Sequence, residues 1–456
     1  MRRKSKDEPS DDRPRREPRE ERQVLEDRKR VCRQVEQMGV RVQDAEYRRH
    51  LIRLLQQRRA GSADLARIGS VPEGGGSEAL VVWGELLLRA EDSRDDRATG
   101  LLRRYGLHPH EVECLDGRVV RWVNTELGPK RLHRLARSLR SRGITASVNH
   151  VAPLAPIAKG LGGPEPTRVK AGWAPDPRTK GATAVAVAVI DTGIAHQKRT
   201  DGWLTSVKRT RDNKDPLDAI PRGGDTFLDY GAGHGTFAAG VVTQVAPDAD
   251  LRVVRALDSD GVGSEVEVAC AVVEAVRAGA DLVNLSLGSR TIDDLPPVAM
   301  SVALEIVAET EEREGREVML VAAAGNFGDS RPCWPAAYRR VVSVGALTAE
   351  GGPAPWSSRG FWVDCSAVGE GVVSTYVEGT ESPELDAQPD TYKQDPWATW
   401  SGTSFAAPQV TGELARLRAE SGASLHDCLQ QLLKRDDWPR PRIPGYGHAL
   451  RILPGT

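Results

Sequence analysis

From residue 182 onward, short apolar runs alternate with stretches whose apolar residues recur at helical spacing, and this alternation limits the possible folds more than any other feature of the chain. The runs cover 184–190, 251–256, 282–287, 318–324 and 341–346, and the intervening stretches 235–245, 264–278 and 298–314 read as helices. Strands that are apolar along their whole length have both faces buried, and helices between them supply the crossovers and the cover. Residues 183–456 therefore read as one α/β domain: a mostly parallel central sheet between two helical layers.

Upstream the pattern changes. Residues 1–30 are about two-thirds charged, with both signs mixed, and cannot bury enough apolar surface to offset their ordering entropy, so a disordered tail is expected. Residues 31–77 suggest one or two polar-faced helices, then a flexible joint at Gly74-Gly75-Gly76. Residues 78–151 give the order β-α-β-β-α-β, with a hairpin turn at Leu115-Asp116-Gly117, which is a small ferredoxin-like α+β module. Residues 152–182, rich in Pro, Gly and Lys, read as a linker.

A net charge of −1 gives no general attraction to nucleic acid or anionic membrane, so neither is expected as a partner. The polar start has no apolar core of a signal peptide, and no run reaches the roughly 20 apolar residues that cross a bilayer. A cytoplasmic location is expected, with export by an unconventional route as the alternative. The six cysteines (32, 114, 270, 333, 365 and 428) form no C-x-x-C pair, so free thiols are expected and no zinc ribbon.

Three motifs carry the chemistry. Val187-Ala188-Val189-Ile190-Asp191-Thr192-Gly193 delivers a carboxylate to the end of an apolar strand, where open α/β sheets place their sites. Gly233-His234-Gly235-Thr236-Phe237 sets a histidine between glycines ahead of a helix of small residues. Trp400-Ser401-Gly402-Thr403-Ser404-Phe405-Ala406-Ala407-Pro408 puts a serine at a helix start, with Pro408 expected in the first turn. Each alone has an ordinary reading as a turn, a loop histidine or an N-cap. Together, in the order Asp, His, Ser, they are specific.

On these motifs the chain resembles the subtilases from about residue 182 to 450. Asn284-Leu285-Ser286-Leu287-Gly288, Ala322-Ala323-Ala324-Gly325-Asn326 and Gly445-Tyr446-Gly447 fall in register with family landmarks. The resemblance implies a serine endopeptidase with Asp191, His234 and Ser404 as its triad and Asn326 as an oxyanion donor. It implies an extended peptide or protein substrate between Ser286-Leu287-Gly288 and Gly261-Val262-Gly263. Glycines at 261 and 263 would leave room for a P4 side chain. Ala323, Ala324, Gly325, Cys333 and Trp334 would line the P1 pocket, which without an acid favours an uncharged side chain.

The residue types suit that chemistry. A serine hydroxyl is a weak nucleophile until a base takes its proton, an imidazole titrates near neutrality, and a carboxylate can fix the imidazole's tautomer. No cofactor is required. Calcium is conceivable in the acidic stretch 377–395, but a surface loop fits better, and no metal motif occurs. Phe237 replaces the family's second histidine and is expected to pack. The 78–151 module resembles the subtilase propeptide by architecture, which implies an intramolecular inhibitor, with self-cleavage within 150–170. The competing readings are a catalytically inactive subtilase-fold scaffold and an esterase, and the latter lacks its Gly-x-Ser-x-Gly elbow.

Overall fold

The computed structural model describes residues 28–36, 38–39, 44–60, 62, 65–72, 78–153, 167–169, 184–221, 223–383, 389–435 and 441–453. The tail reading for 1–27, the glycine joint at 74–76 and most of the linker fall outside these residues.

The large sheet has eight strands. Six of them, in spatial order Cys365–Val368, Val341–Leu347, Met319–Ala323, Leu282–Leu285, Ala186–Asp191 and Asp250–Arg255, run parallel. Two short C-terminal strands, Arg442–Ile443 and Gly447–Ala449, extend one edge. Chain order reverses beside Ala186–Asp191: the next strand lies on one side of it and the later ones on the other. That reversal opens a crevice at the strands' C-terminal ends. Along the central strand, Ala188 and Ile190 join the core beneath helices Glu265–Arg277 and Val298–Glu314. Val187 and Val189 join the opposite core, beneath His234–Val245 and Thr403–Ser421. Alternate residues thus serve opposite layers, which is why the strand carries no polar face.

The N-terminal module follows the order Glu78–Arg89, Asp96–Arg104, His108–Glu111, Val119–Val123, Pro129–Arg140, Ala146–Pro153. Asp116 and Gly117 both take positive φ at its turn. A strand absent from the sequence reading, Ile68–Pro72, pairs antiparallel with Glu78–Arg89. The module's last strand continues onto the peptidase-like domain, where Val151, Ala152 and Pro153 pair antiparallel with Ser264, Gly263 and Val262. Helix Pro129–Arg140 and helix Asp96–Arg104 enclose the module's own core, which includes Trp122, Leu132, Leu135 and Leu139.

Three expectations are corrected. Thr167–Val169, read as linker, is a strand paired with Trp397–Thr399. The stretch 377–395 is not simply a loop: Gly379–Thr380 pairs with Thr391–Tyr392, and Val377 and Tyr392 are buried. Cys114 and Cys270 are disulfide-bonded rather than free, with Cα atoms 5.4 Å apart across a sequence separation of 156. That contact exists only once the module is docked on helix Glu265–Arg277, so spacing in sequence could not reveal it.

Candidate active site

Asp191 ends its strand fully buried, and both its carboxylate oxygens lie 2.8 Å from Nδ1 of His234. The Thr192 amide donates to Asp191 Oδ1 at 2.7 Å. His234 opens its helix, with its ring 5.2 Å from Trp400 and 5.1 Å from Phe405. Those two aromatics flank the Ser404 segment in the chain, so that segment is brought to the imidazole. Phe237 is fully buried with its ring 4.4 Å from Phe405, a packing role. Glycine at 235 is demanded by this close approach: a Cβ there would stand 2.2 Å from the Gly193 carbonyl oxygen.

Ser404 is the second residue of helix Thr403–Ser421. Pro408 lies well inside that helix, not in its first turn as the sequence suggested. Proline has no N–H for the carbonyl four residues back, which here belongs to Ser404. Ser286 Oγ fills the vacancy, donating to Ser404 O at 2.6 Å. In return Ser404 Oγ donates to Ser286 O at 3.0 Å. The proline therefore frees a carbonyl by which the Ser286–Gly288 segment is pinned to the helix that bears Ser404. Among the described residues, His234 is hydrogen-bonded to Asp191 and no hydrogen bond joins it to Ser404. Such bonds are commonly loose before substrate binds.

Asn326 Oδ1 accepts from Thr403 N at 2.9 Å and Thr403 Oγ1 at 2.8 Å, which orients the amide against the start of the serine helix. A Cβ at Gly402 would lie 3.4 Å from Asn326 Nδ2. Thr403 Oγ1 also receives the Gly325 amide at 3.1 Å. Cys333 sits under both Gly288 and Gly325, whose Cβ positions would be 2.6 and 2.9 Å from its sulfur. Burial pushes its thiol up to about 12, so it serves as an inert wall. Ala323 and Ala324 are fully buried, and Trp334 is hydrogen-bonded backbone to backbone with Ser289.

Gly263 needs a correction. A Cβ there would meet the Ala256 carbonyl oxygen at 2.4 Å, so its smallness serves backbone packing and not a side-chain pocket. Gly261, at φ +75°, is pressed against Gly231. Among the described residues, no group of three His, Cys, Asp or Glu side chains could hold a metal ion. No described helix is long and apolar enough to cross a membrane.

Sequence reasoning missed an acidic pocket beside the Gly261–Gly263 strand. Arg58 enters it from helix Ala45–Arg58, bonding Asp229 Oδ1 at 2.6 Å, Asp260 Oδ1 at 3.0 Å and the Ile220 carbonyl, with its guanidinium 4.3 Å from the Tyr230 ring. Arg59 pairs with Asp258. Arg58 and Arg59 stand in a run of charged and polar residues, and nothing in that run marks these two as buried.

The model of the subtilase family matches residues 182–437, more than half of the sequence. The chain belongs to the subtilase family. It is 33% identical over 297 residues to the thermophilic serine proteinase of Bacillus sp. strain AK1, a match spanning 62% of this chain and 63% of that protein. It is 29% identical over 284 residues to thermitase of Thermoactinomyces vulgaris, across 57% of this chain and 86% of thermitase. Among solved structures it resembles fervidolysin from Fervidobacterium pennivorans, a keratinolytic enzyme related to subtilisin. That likeness has a TM-score of 0.55 at 19% identity, across 84% of this chain and 61% of fervidolysin, and shows the fold, including part of the chain upstream of the family segment. The subtilase fold was expected from the three motifs.

Proposed function

We propose that this subtilase is a serine endopeptidase in which Asp191, His234 and Ser404 form the catalytic triad. The carrying observation is the Asp191 carboxylate held 2.8 Å from His234 Nδ1, with the imidazole packed against Phe405, the residue after Ser404 at a helix start. An extended peptide pairs with the edge strand Val262–Ser264. A rotation about the Ser404 Cα–Cβ bond turns its hydroxyl from Ser286 O towards His234 Nε2. The imidazole takes that proton as Oγ attacks the peptide carbonyl, and Asp191 stabilises the imidazolium. The Asn326 amide and the Ser404 backbone N–H receive the oxyanion, aided by the helix N-terminus. The imidazolium then protonates the leaving amine, and water hydrolyses the acyl-enzyme by the same relay.

We infer further that residues 78–151 inhibit this site. Val151–Pro153 already occupies the edge strand on which a substrate would lie, an instance of β-augmentation within one chain. Cleavage within 150–170 would cut the connection to the enzyme. A fluorophosphonate should label the incubated full chain and not Ser404→Ala; equal labelling of both removes the triad assignment. Incubating the two proteins side by side tests the second part: the wild type should be nicked within 150–170 and Ser404→Ala should stay whole.

A further inference from the structure

Asp215 belongs to none of the motifs. It follows Arg211-Asp212-Asn213-Lys214 in a polar loop, yet it is 1% exposed. Its carboxylate accepts three hydrogen bonds. Thr192 Oγ1 donates to Oδ2 at 3.0 Å and the Gly233 amide to Oδ2 at 2.9 Å, while the Leu217 amide donates to Oδ1 at 3.2 Å. Thr192 Oγ1 in turn receives the Gly235 amide at 3.1 Å. Thr192 follows Asp191, and Gly233 and Gly235 flank His234. One buried carboxylate therefore ties the segment bearing Asp191 to the segment bearing the imidazole. Main-chain bonds reinforce the tie: Ile194 N donates to Asn213 O at 2.8 Å, and Asp215 N donates to Ile194 O at 3.1 Å.

We propose that Asp215 is a positioning residue, which locks the Asp191-Thr192-Gly193 turn to the first turn of the histidine helix and so sets how the carboxylate meets the imidazole. This rests on the endopeptidase reading above. The chemistry of the contact supports it. All three partners are donors, and an ionised carboxylate only accepts, so the anion satisfies every one of them. No Lys or Arg among the described residues hydrogen-bonds or ion-pairs with Asp215, and the neighbouring Lys214 is exposed. The titratable group whose charge acts on it is Asp191, from the strand. Burial pushes the Asp215 carboxyl up to about 7, against the lowering effect of its three donors. A buried anion without a counter-ion is a costly way to join two loops, and such groups concentrate where function requires them.

Protonation would place an O–H where a donor already points, displacing one of the three bonds. Protonation of Asp215 should therefore add a step to the acid side of the activity profile. The test uses full chain incubated to constant peptidase activity, with Asp215→Asn, Thr192→Val and Thr192→Ser variants and a thermal melt of each. Asp215→Asn and Thr192→Val should lower kcat about ten- to a hundredfold, with KM changed less than about twofold. Thr192→Ser keeps the hydroxyl and should retain most of the activity. The acid limb of kcat/KM should be steeper than a single proton in the wild type and single-proton in Asp215→Asn. A folded Asp215→Asn with unchanged kcat and limb overturns the proposal, as does Thr192→Ser falling as far as Thr192→Val. If the wild type neither hydrolyses peptide nor takes up fluorophosphonate, the endopeptidase reading fails and the positioning role fails with it.

Discussion

Removing the Arg58 guanidinium should release the segment that overlies the strand Val262–Ser264. Its side chain is 8% exposed, and its partners Asp229 and Asp260 are 1% and 0% exposed. On the same helix, Ile52 and Leu55 pack with Tyr230, Val262 and Val151, so the arginine anchors a small core that includes the occluding strand itself. Truncation strands two buried carboxylates, and breaking a buried pair from one side costs about 3–5 kcal/mol. At about 1.4 kcal/mol per tenfold, local opening should rise by roughly two to three and a half orders of magnitude. The loss should depend on pH. Burial, with the Asp260 charge beside it, pushes the Asp229 carboxyl up to about 6, so at pH 5 a proton replaces the missing cation and at pH 8 it does not. Hydrogen exchange in a Ser404→Ala background would compare Arg58→Met with its parent over residues 45–58 and 146–153. Faster exchange at pH 8 that narrows at pH 5 is expected, and Asp260→Asn in the same chain should recover part of the loss. Equal exchange in parent and variant at pH 8 would refute the reasoning.

Asn326→Ala should lower kcat by about 10²–10³-fold with little change in KM, read by steady-state peptide hydrolysis, because it removes the amide proposed to receive the oxyanion and leaves the proposed triad in place. Cys114→Ser, or a dithiol reductant, should let the nicked module leave the enzyme on size exclusion under conditions where the Cys114–Cys270 bond otherwise retains it. The folded-state carboxyls of Asp215 and Asp229 are raised to about 7 and about 6. Their contribution to stability is therefore present at about pH 4 and lost as pH rises to about 7, a drop of a few kcal/mol in denaturant unfolding of Ser404→Ala. Asp215→Asn should flatten that slope while lowering kcat, the usual opposition of stability and activity at such sites.

By itself the sequence determined what local physics decides. Strands apolar on both faces and helices with apolar spacing had to build a layered sheet, and the small residues around Asp191, His234 and Ser404 marked where the backbone closes in. The Gly235 contact with the Gly193 carbonyl is the physical form of that signal. The module's strand order was legible for the same reason, since alternation and turn residues act over a few neighbours. Which distant groups meet was set by the packing of the folded chain. Asp215 under the Thr192 hydroxyl, Arg58 between two aspartates, Cys114 against Cys270, and Ser286 at the carbonyl freed by Pro408 are all pairings of long sequence separation. A charged, thiol or hydroxyl side chain looks alike in sequence whether it faces water or a partner. Its burial and protonation are set by what folding packs around it.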